Sequence, residues 1–365
     1  MKANIPWAKP LFFEQEQKYL ADALASTWIS GGQYIEKFEK EFTQYNRAHF
    51  GITTSNGTTA LQLAIWALNL QPGDEVIVPG FTFVAPINMV IESGATPIYA
   101  DIDPATWCID PVAIESCITG KTKAVVPVHI YGNVCEMDTI NSIAKKHNRA
   151  VIEDTAEAAF SKYGNKYAGT LGDIGCFSFQ ATKTITMGEG GCVLTENEQL
   201  YKAMRLIRDH GMRIGKRYWH DVIGYNFRLT NMQAAVGCGQ LENVSAIIAE
   251  KKRVFLLYTK FLSDIAGVTM QHFSKPVDPV VWAIAVKVDP LAFKFNRDAI
   301  INQMQEKGIE TRPGFYPFSV MPLYHAPALP VSEEVGANVL SLPSFPSLSE
   351  EEIAFICENL KKLRR

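Results

Sequence analysis

Two hydrophobic periods alternate through the first two-thirds of the chain. Unbroken apolar runs such as Val76–Val78, Ala124–Val126 and Ala150–Ile152 read as strands covered on both faces. The strands predicted on this basis are Glu75–Val78, Pro97–Asp101, Ala124–Tyr131, Ala150–Asp154, Gly175–Phe179 and Cys192–Thr195. Between them, Leu61, Ile65 and Leu68 recur at helical spacing within Ala60–Leu70, and Asn141–His147 and Gln199–Arg208 also read as helices. Strands alternating with helices predict an α/β layer built on a mostly parallel sheet. From Thr230 the pattern becomes one long helical stretch to Leu262. Beyond it, Val280–Val288 reads as a strand and Arg297–Lys307 as a helix ended by Gly308. Ser349-Glu350-Glu351-Glu352 forms a capping box ahead of a helix with Ile353, Ile356 and Leu360 on one face. The expected organisation is a large domain over residues 1–240 and a smaller α+β domain over residues 241–365.

Composition narrows the class. The 365 residues fit about two domains of ~150 residues. With 47% hydrophobic and 20% charged residues, the chain is too apolar for disorder. Its 35 basic and 38 acidic residues leave a net charge of −3, so the totals give no basic footprint for nucleic acid. No apolar run reaches the roughly 18 residues of a membrane span, and the first residues lack the apolar core of a secretory signal. The 7 cysteines stand singly with no CxxC pair, against a disulfide scaffold or zinc ribbon. The 7 histidines are dispersed without HExxH, so no metal site is expected. These features describe a cytoplasmic globular enzyme.

Three segments carry candidate chemistry. Thr53-Thr54-Ser55-Asn56-Gly57-Thr58-Thr59 precedes the Ala60–Leu70 helix, and small residues at a helix start leave N–H groups open to an anion. It is neither a Walker loop nor a GxGxxG fingerprint, which weakens nucleotide-hydrolase and nicotinamide readings. Glu153-Asp154 closes an apolar strand, where open α/β sheets place their ligands. The two acids suit a cationic ring nitrogen, a metal or a plain helix cap. Lys183 follows the apolar Cys176–Phe179 and has the setting of either a desolvated, reactive amine or a solvated surface lysine.

Taken together and in order, these segments resemble the DegT/DnrJ/EryC1/StrS family of pyridoxal phosphate-dependent sugar aminotransferases, which have the aspartate-aminotransferase fold (fold type I). The resemblance runs over the whole length, through SNGTTAL at 55–61, GDEVIVPGFTFVA at 73–85, VHIYG at 128–132 and IEDTAEA at 152–158. It continues through GDIGCFSF at 172–179, TKTITMGEGG at 182–191, YNFRLTN at 225–231 and TRPGFYP at 311–317. WISGGQYIEKFE at 28–39 and LPSFPSL at 342–348 are similar to the perosamine and viosamine branch.

The resemblance implies a role for each matching residue. Lys183 would carry the cofactor covalently and move protons, and Asp154 would pair with the pyridinium nitrogen. Glu157 would lie near the phenolic oxygen, and Phe83 would stack on the ring. Gly57, Thr58 and Ser178 would hold the phosphate. Asn226 would reach it from a neighbouring subunit, making a homodimer with shared sites. Arg312 and Tyr316 would approach the sugar or its diphosphate, with Trp28, His129 and His220 also lining the substrate site. The implied reaction is ping-pong transfer from L-glutamate to a nucleotide-linked 4-keto-6-deoxy sugar, GDP-4-keto-6-deoxy-D-mannose foremost. One departure is Ala181-Thr182 before the lysine, where such relatives carry Gly-Asn. It keeps a UDP- or dTDP-linked sugar or a ketocyclitol open as acceptor. A dehydratase of this scaffold would carry histidine in place of Lys183, and a non-catalytic regulator would not need Lys183 and Asp154 together.

Overall fold

The computed structural model describes residues 4–365. Seven strands form the main sheet: β1 (Phe50–Thr54), β2 (Glu75–Pro79), β3 (Thr96–Ala100), β4 (Thr122–Val125), β5 (Ala150–Asp154), β6 (Ile174–Ser178) and β7 (Gly191–Thr195). Their spatial order is β1-β7-β6-β5-β4-β2-β3. Strands β3, β2, β4, β5 and β6 run parallel, while β7 is antiparallel to both of its neighbours, β6 and β1. The mostly parallel α/β sheet expected from the apolar runs is therefore present. Its strands alternate between two cores: Ile77, Val125 and Val151 enter one, and Val76, Val78, Ala124, Val126 and Ile152 the other. Both faces are covered, which is why these runs carry no polar alternation.

The helices around the sheet are α1 (Glu14–Ala25), α2 (Gln33–Asn46), α3 (Gly57–Ala67), α4 (Ala85–Glu92), α5 (Pro111–Cys117), α6 (Met137–His147) and α7 (Glu198–Arg208). Next come α8 (Asn231–Glu242) and α9 (Val244–Leu262), and towards the C-terminus α10 (Arg297–Glu306), α11 (Pro330–Asn338) and α12 (Glu350–Lys362). A second, antiparallel sheet has the order β8-β9-β11-β10, from β8 (Val268–Met270), β9 (Ile284–Val288), β10 (Arg312–Pro313) and β11 (Val339–Leu342). Its core joins Val254 and Tyr258 of α9 to Ile353 and Ile356 of α12, and takes in Ile5 from the start of the chain. Among the described residues, no helix is long and apolar enough to cross a membrane.

Several expected elements differ in extent. The stretch predicted as one helix from Thr230 to Leu262 is two, because Asn243 between α8 and α9 has φ −102° and ψ 11° and its side-chain amide donates to the Gly239 carbonyl. Such local side-chain bonding competes with helix propagation. The strand predicted to reach Tyr131 stops at Val125. The Pro127 carbonyl still accepts from Asp154 N, but Tyr131 then turns at φ 57° within a short 3-10 segment. Helix α3 starts at Gly57, inside the hydroxyl-rich segment, and ends before the left-handed Asn69. Of Val280–Val288 only Ile284–Val288 is strand. The end at Gly308 (φ 77°) and the Ser349 capping box are as predicted.

Candidate active site

Strand ends and helix starts converge on a cavity of about 750 Å³ between the main sheet and the second sheet. Helix α3 supplies one wall. The Asn56 side chain accepts from Thr59 N and fixes the first turn, while Gly57 and Thr58, as first helical residues, have no preceding carbonyl in reach of their N–H groups. Ser178, at the end of β6, packs so tightly beneath that a Cβ on Gly57 would lie 2.7 Å from the Ser178 Cβ. Only glycine leaves that concavity open. The result is a cradle of N–H groups and a hydroxyl suited to an anion.

The pleat of β5 separates the two adjacent acids. Asp154 points into the cavity, buried, with Oδ1 accepting from Ala156 N at 3.0 Å. Glu153 points away and is fully enclosed. Its carboxylate accepts from Gly169 N (2.8 Å), Leu171 N (2.6 Å) and Gly172 N (2.6 Å), and meets His129 Nε2 at 2.8 Å. Glu153 thus builds the loop beneath the site, whereas Asp154 faces whatever binds in it. Burial raises the Asp154 carboxyl, opposed by Ala156 N–H, Lys183 and His129.

Lys183 lies on the same wall. Its Nζ is 3.9 Å from Glu157 Oε1 and 3.8 Å from the centre of the Trp282 ring, and its side chain is 14% exposed. Burial lowers the proton affinity of this amine, against the opposing pull of Glu157 and Asp154. Glu157 accepts from Tyr131 N at 2.8 Å, and burial pushes its carboxyl up to about 7. A buried amine beside two buried carboxyls is an arrangement for moving protons near neutral pH.

Of the residues singled out in the sequence, Gly57, Thr58, Phe83, Asp154, Glu157, Ser178, Lys183 and Arg312 line this one cavity. Phe83 is half exposed on its rim, edge-on to Phe315 at 6.1 Å. His129, expected to line the substrate site, is a correction. It is fully buried, its Nδ1 accepts from Cys135 N at 3.2 Å, and Nε2 is left to donate to Glu153. With both ring nitrogens engaged, it supports β5 rather than meeting a ligand. Trp28, His220 and Asn226 are exposed and stand outside the cavity of this chain. Tyr316 also lies off the wall, with its ring 5.4 Å from the Arg297 guanidinium.

Among the wall residues that the sequence reading did not single out are the large aromatics Trp7, Tyr131 and Trp282. Trp282 belongs to an apolar run and looked like core; Trp7 belongs to a segment with no periodicity. Behind Trp282, Lys251 donates to its carbonyl at 2.7 Å, and burial pushes that amine down to about 7. A lysine at a buried position of α9 was a visible irregularity in an otherwise apolar stripe.

Comparison with known proteins follows the same lines. The sequence profile of the DegT/DnrJ/EryC1/StrS aminotransferase family matches residues 11–361. The chain is 43% identical to GDP-perosamine synthase of Escherichia coli O157:H7, over 98% of both chains. It is 41% identical to GDP-perosamine synthase of Caulobacter vibrioides, over 96% of this chain and 95% of that one. Its fold superposes on DesV of S. venezuelae, solved in complex with a ketimine intermediate, with a TM-score of 0.90 and 30% identity, covering 96% of this chain and 94% of that one.

Proposed function

This chain belongs to the DegT/DnrJ/EryC1/StrS aminotransferase family, and we propose that it transfers the amino group of L-glutamate to the C4 ketone of GDP-4-keto-6-deoxy-D-mannose. The products are 2-oxoglutarate and GDP-perosamine. The observation that carries this choice of acceptor is the near-full-length likeness to two GDP-perosamine synthases. Aminotransferases of this family use pyridoxal 5'-phosphate. The cavity suits that group: a glycine-lined anion cradle, a buried acid at the end of β5 and the largely shielded amine of Lys183 share its wall. Bound there, the cofactor supplies a carbonyl that carries the amino group between substrates and a ring that withdraws electrons from the adjacent C–H bond.

The remaining work falls to the chain. Lys183 holds the cofactor and, when free, acts as the general acid–base for the 1,3-proton shift that accompanies amino transfer, a task its depressed proton affinity favours. Asp154 faces the ring nitrogen; a cationic partner there offsets the burial that raises its carboxyl. Glu157 sits by Lys183 as a second proton-holding group. Gly57, Thr58 and Ser178 take the phosphate, and Phe83 covers a ring face. Arg312 offers a guanidinium to an acidic group of the substrate. We assign Asn226, Trp28 and His220, exposed on this chain, to the site of a second copy, so that the working unit is a homodimer. The seven free cysteines suit a reducing compartment such as the cytoplasm.

The test is a pair of half-reactions on the purified, cofactor-loaded protein. L-glutamate should discharge the cofactor absorbance, and only the GDP-mannose derivative should restore it, with an amino-sugar product identified by mass. Restoration by a dTDP- or UDP-linked sugar instead would overturn the acceptor. It would point to Thr182, which stands on the cavity wall just before Lys183, as the cause of altered selection. Failure to respond to any amino donor would overturn aminotransfer.

A further inference from the structure

The cavity contains two cations, Lys183 and Arg312, and each rests on a tryptophan. Lys183 Nζ is 3.8 Å from the centre of the Trp282 ring, and the Arg312 guanidinium carbon is 4.2 Å from that of Trp7. The two indoles meet edge to face, 5.4 Å apart at 80°, a geometry that aromatic quadrupoles favour. Both are anchored. Trp282 Nε1 donates to the Thr182 carbonyl at 2.8 Å, and Trp7 Nε1 donates to Ser341 Oγ at 2.9 Å. Trp7 is held further by its backbone: its N–H donates to Glu310 Oε2 at 2.9 Å and its carbonyl accepts from Ser344 N at 2.9 Å. Glu310 also takes Arg312 Nη2, at 3.2 Å on its other oxygen. One carboxylate therefore ties Trp7 and Arg312 together, although 303 residues separate Trp7 from Glu310.

We propose that Trp7 is a positioning residue for substrate binding. Its indole seats the Arg312 guanidinium and, through edge contact with Trp282, fixes the spacing between that cation and the amine of Lys183. The ligand it serves is an anionic group of a substrate, either the carboxylate of the amino donor or the diphosphate of the acceptor. This rests on the reading that Arg312 receives such a group. Arginine stacked on an aromatic face keeps its in-plane N–H groups free for a carboxylate or phosphate, and loses little side-chain entropy when the ligand arrives.

The experiment measures ligand affinity in the pyridoxal phosphate-loaded protein by calorimetry, with 2-oxoglutarate as probe for the donor site and GDP as probe for the acceptor site. Trp7→Leu and Trp7→Met both remove the aromatic face; Trp7→Phe keeps it. The dissociation constant for one of the two probes should rise about tenfold in the Leu and Met variants, as expected for loss of a partly desolvated cation–π seat, and stay close to wild type in Phe. In an Arg312→Ala background the same Trp7 changes should have no further effect. Whichever probe responds identifies the anion. Near-UV circular dichroism identifies the folded variants, and either one of Leu or Met decides the matter. Unchanged affinity for both probes would overturn the proposal. So would an equal loss in Phe, or additive losses in the double variants. If Arg312→Ala alone leaves both affinities unchanged while the protein still aminates its sugar, the seating of an anion by Arg312 is wrong and aminotransfer stands.

Discussion

Glu157→Gln isolates one buried charge beside the reactive amine. Glu157 Oε2 accepts from Tyr131 N at 2.8 Å and Oε1 lies 3.9 Å from Lys183 Nζ. Burial raises its carboxyl from 4.5 to about 7 even against the favourable Lys183 charge. A folded-state value above the unfolded one means that the folded protein holds the proton more tightly. The contribution of this group to stability is therefore fully present below 4.5 and is lost as pH rises through 7. The difference, 7 − 4.5 = 2.5 pH units, corresponds to about 3 kcal/mol at ~1.36 kcal/mol per unit. Glutamine keeps an acceptor for Tyr131 N and carries no charge. Relative to wild type, the variant should gain about 3 kcal/mol between about pH 4.5 and about pH 8. Loss of the carboxylate also lets Lys183 shed its proton more readily, which acts in the same direction above neutrality. Urea unfolding of both proteins across this range measures the difference. A gap that stays constant with pH, or one that closes as pH rises, would refute the claim that burial penalises the Glu157 charge.

The cradle is tested by Gly57→Ala, whose new Cβ meets Ser178 Cβ at 2.7 Å. Stability should fall by about 1–3 kcal/mol and pyridoxal phosphate affinity by about tenfold or more, and a titration showing wild-type affinity would remove Gly57 from the phosphate site. Glu153→Gln places an amide among Gly169, Leu171 and Gly172 N–H groups and His129. It should cost about 3 kcal/mol in urea unfolding, and a cost near zero would contradict the supporting role given to that carboxylate. For Asn226, inactive Lys183→Ala and Asn226→Ala proteins are to be mixed and allowed to exchange subunits. If Asn226 serves the neighbouring site, each mixed dimer has one intact site of two, and an equal mixture, about half of it mixed dimers, recovers about a quarter of wild-type activity; no recovery would place Asn226 in the site of its own chain.

What pattern reading could reach, and what it could not, follows from the range of the interactions. Strand β5 has the predicted bounds, Ala150–Asp154, because a strand covered on both faces writes its extent as an unbroken apolar run. Helix α2 was legible and overlooked: Tyr34, Phe38 and Phe42 recur every four residues and are all buried. His129 and the pair Glu153-Asp154 are different in kind. A buried imidazole and an exposed one have the same sequence, and only the loop at Gly169–Gly172 decides that Glu153 is sequestered.

The separation of Glu153 from Asp154 shows how much one local rule can still contribute. Successive side chains on a strand leave opposite faces, so of two adjacent acids at the end of β5, one must turn towards the ligand and the other away. Alternation establishes the split without saying which is which. Parity with Ile152 aligns Asp154 with the face that packs on α3, since Ile152 shares a core with Ala60, Leu61 and Ala64 of that helix. The helix that buries Ile152 presents its N-terminal cradle at the same end of the sheet. Asp154 thus inherits its place beside the anion site from a packing contact two residues earlier in the chain. Trp7 and Arg312 share no such rule. Their contact requires the start of the chain to bridge to Ile309, next to Glu310, and neither segment has a repeat that implies the other.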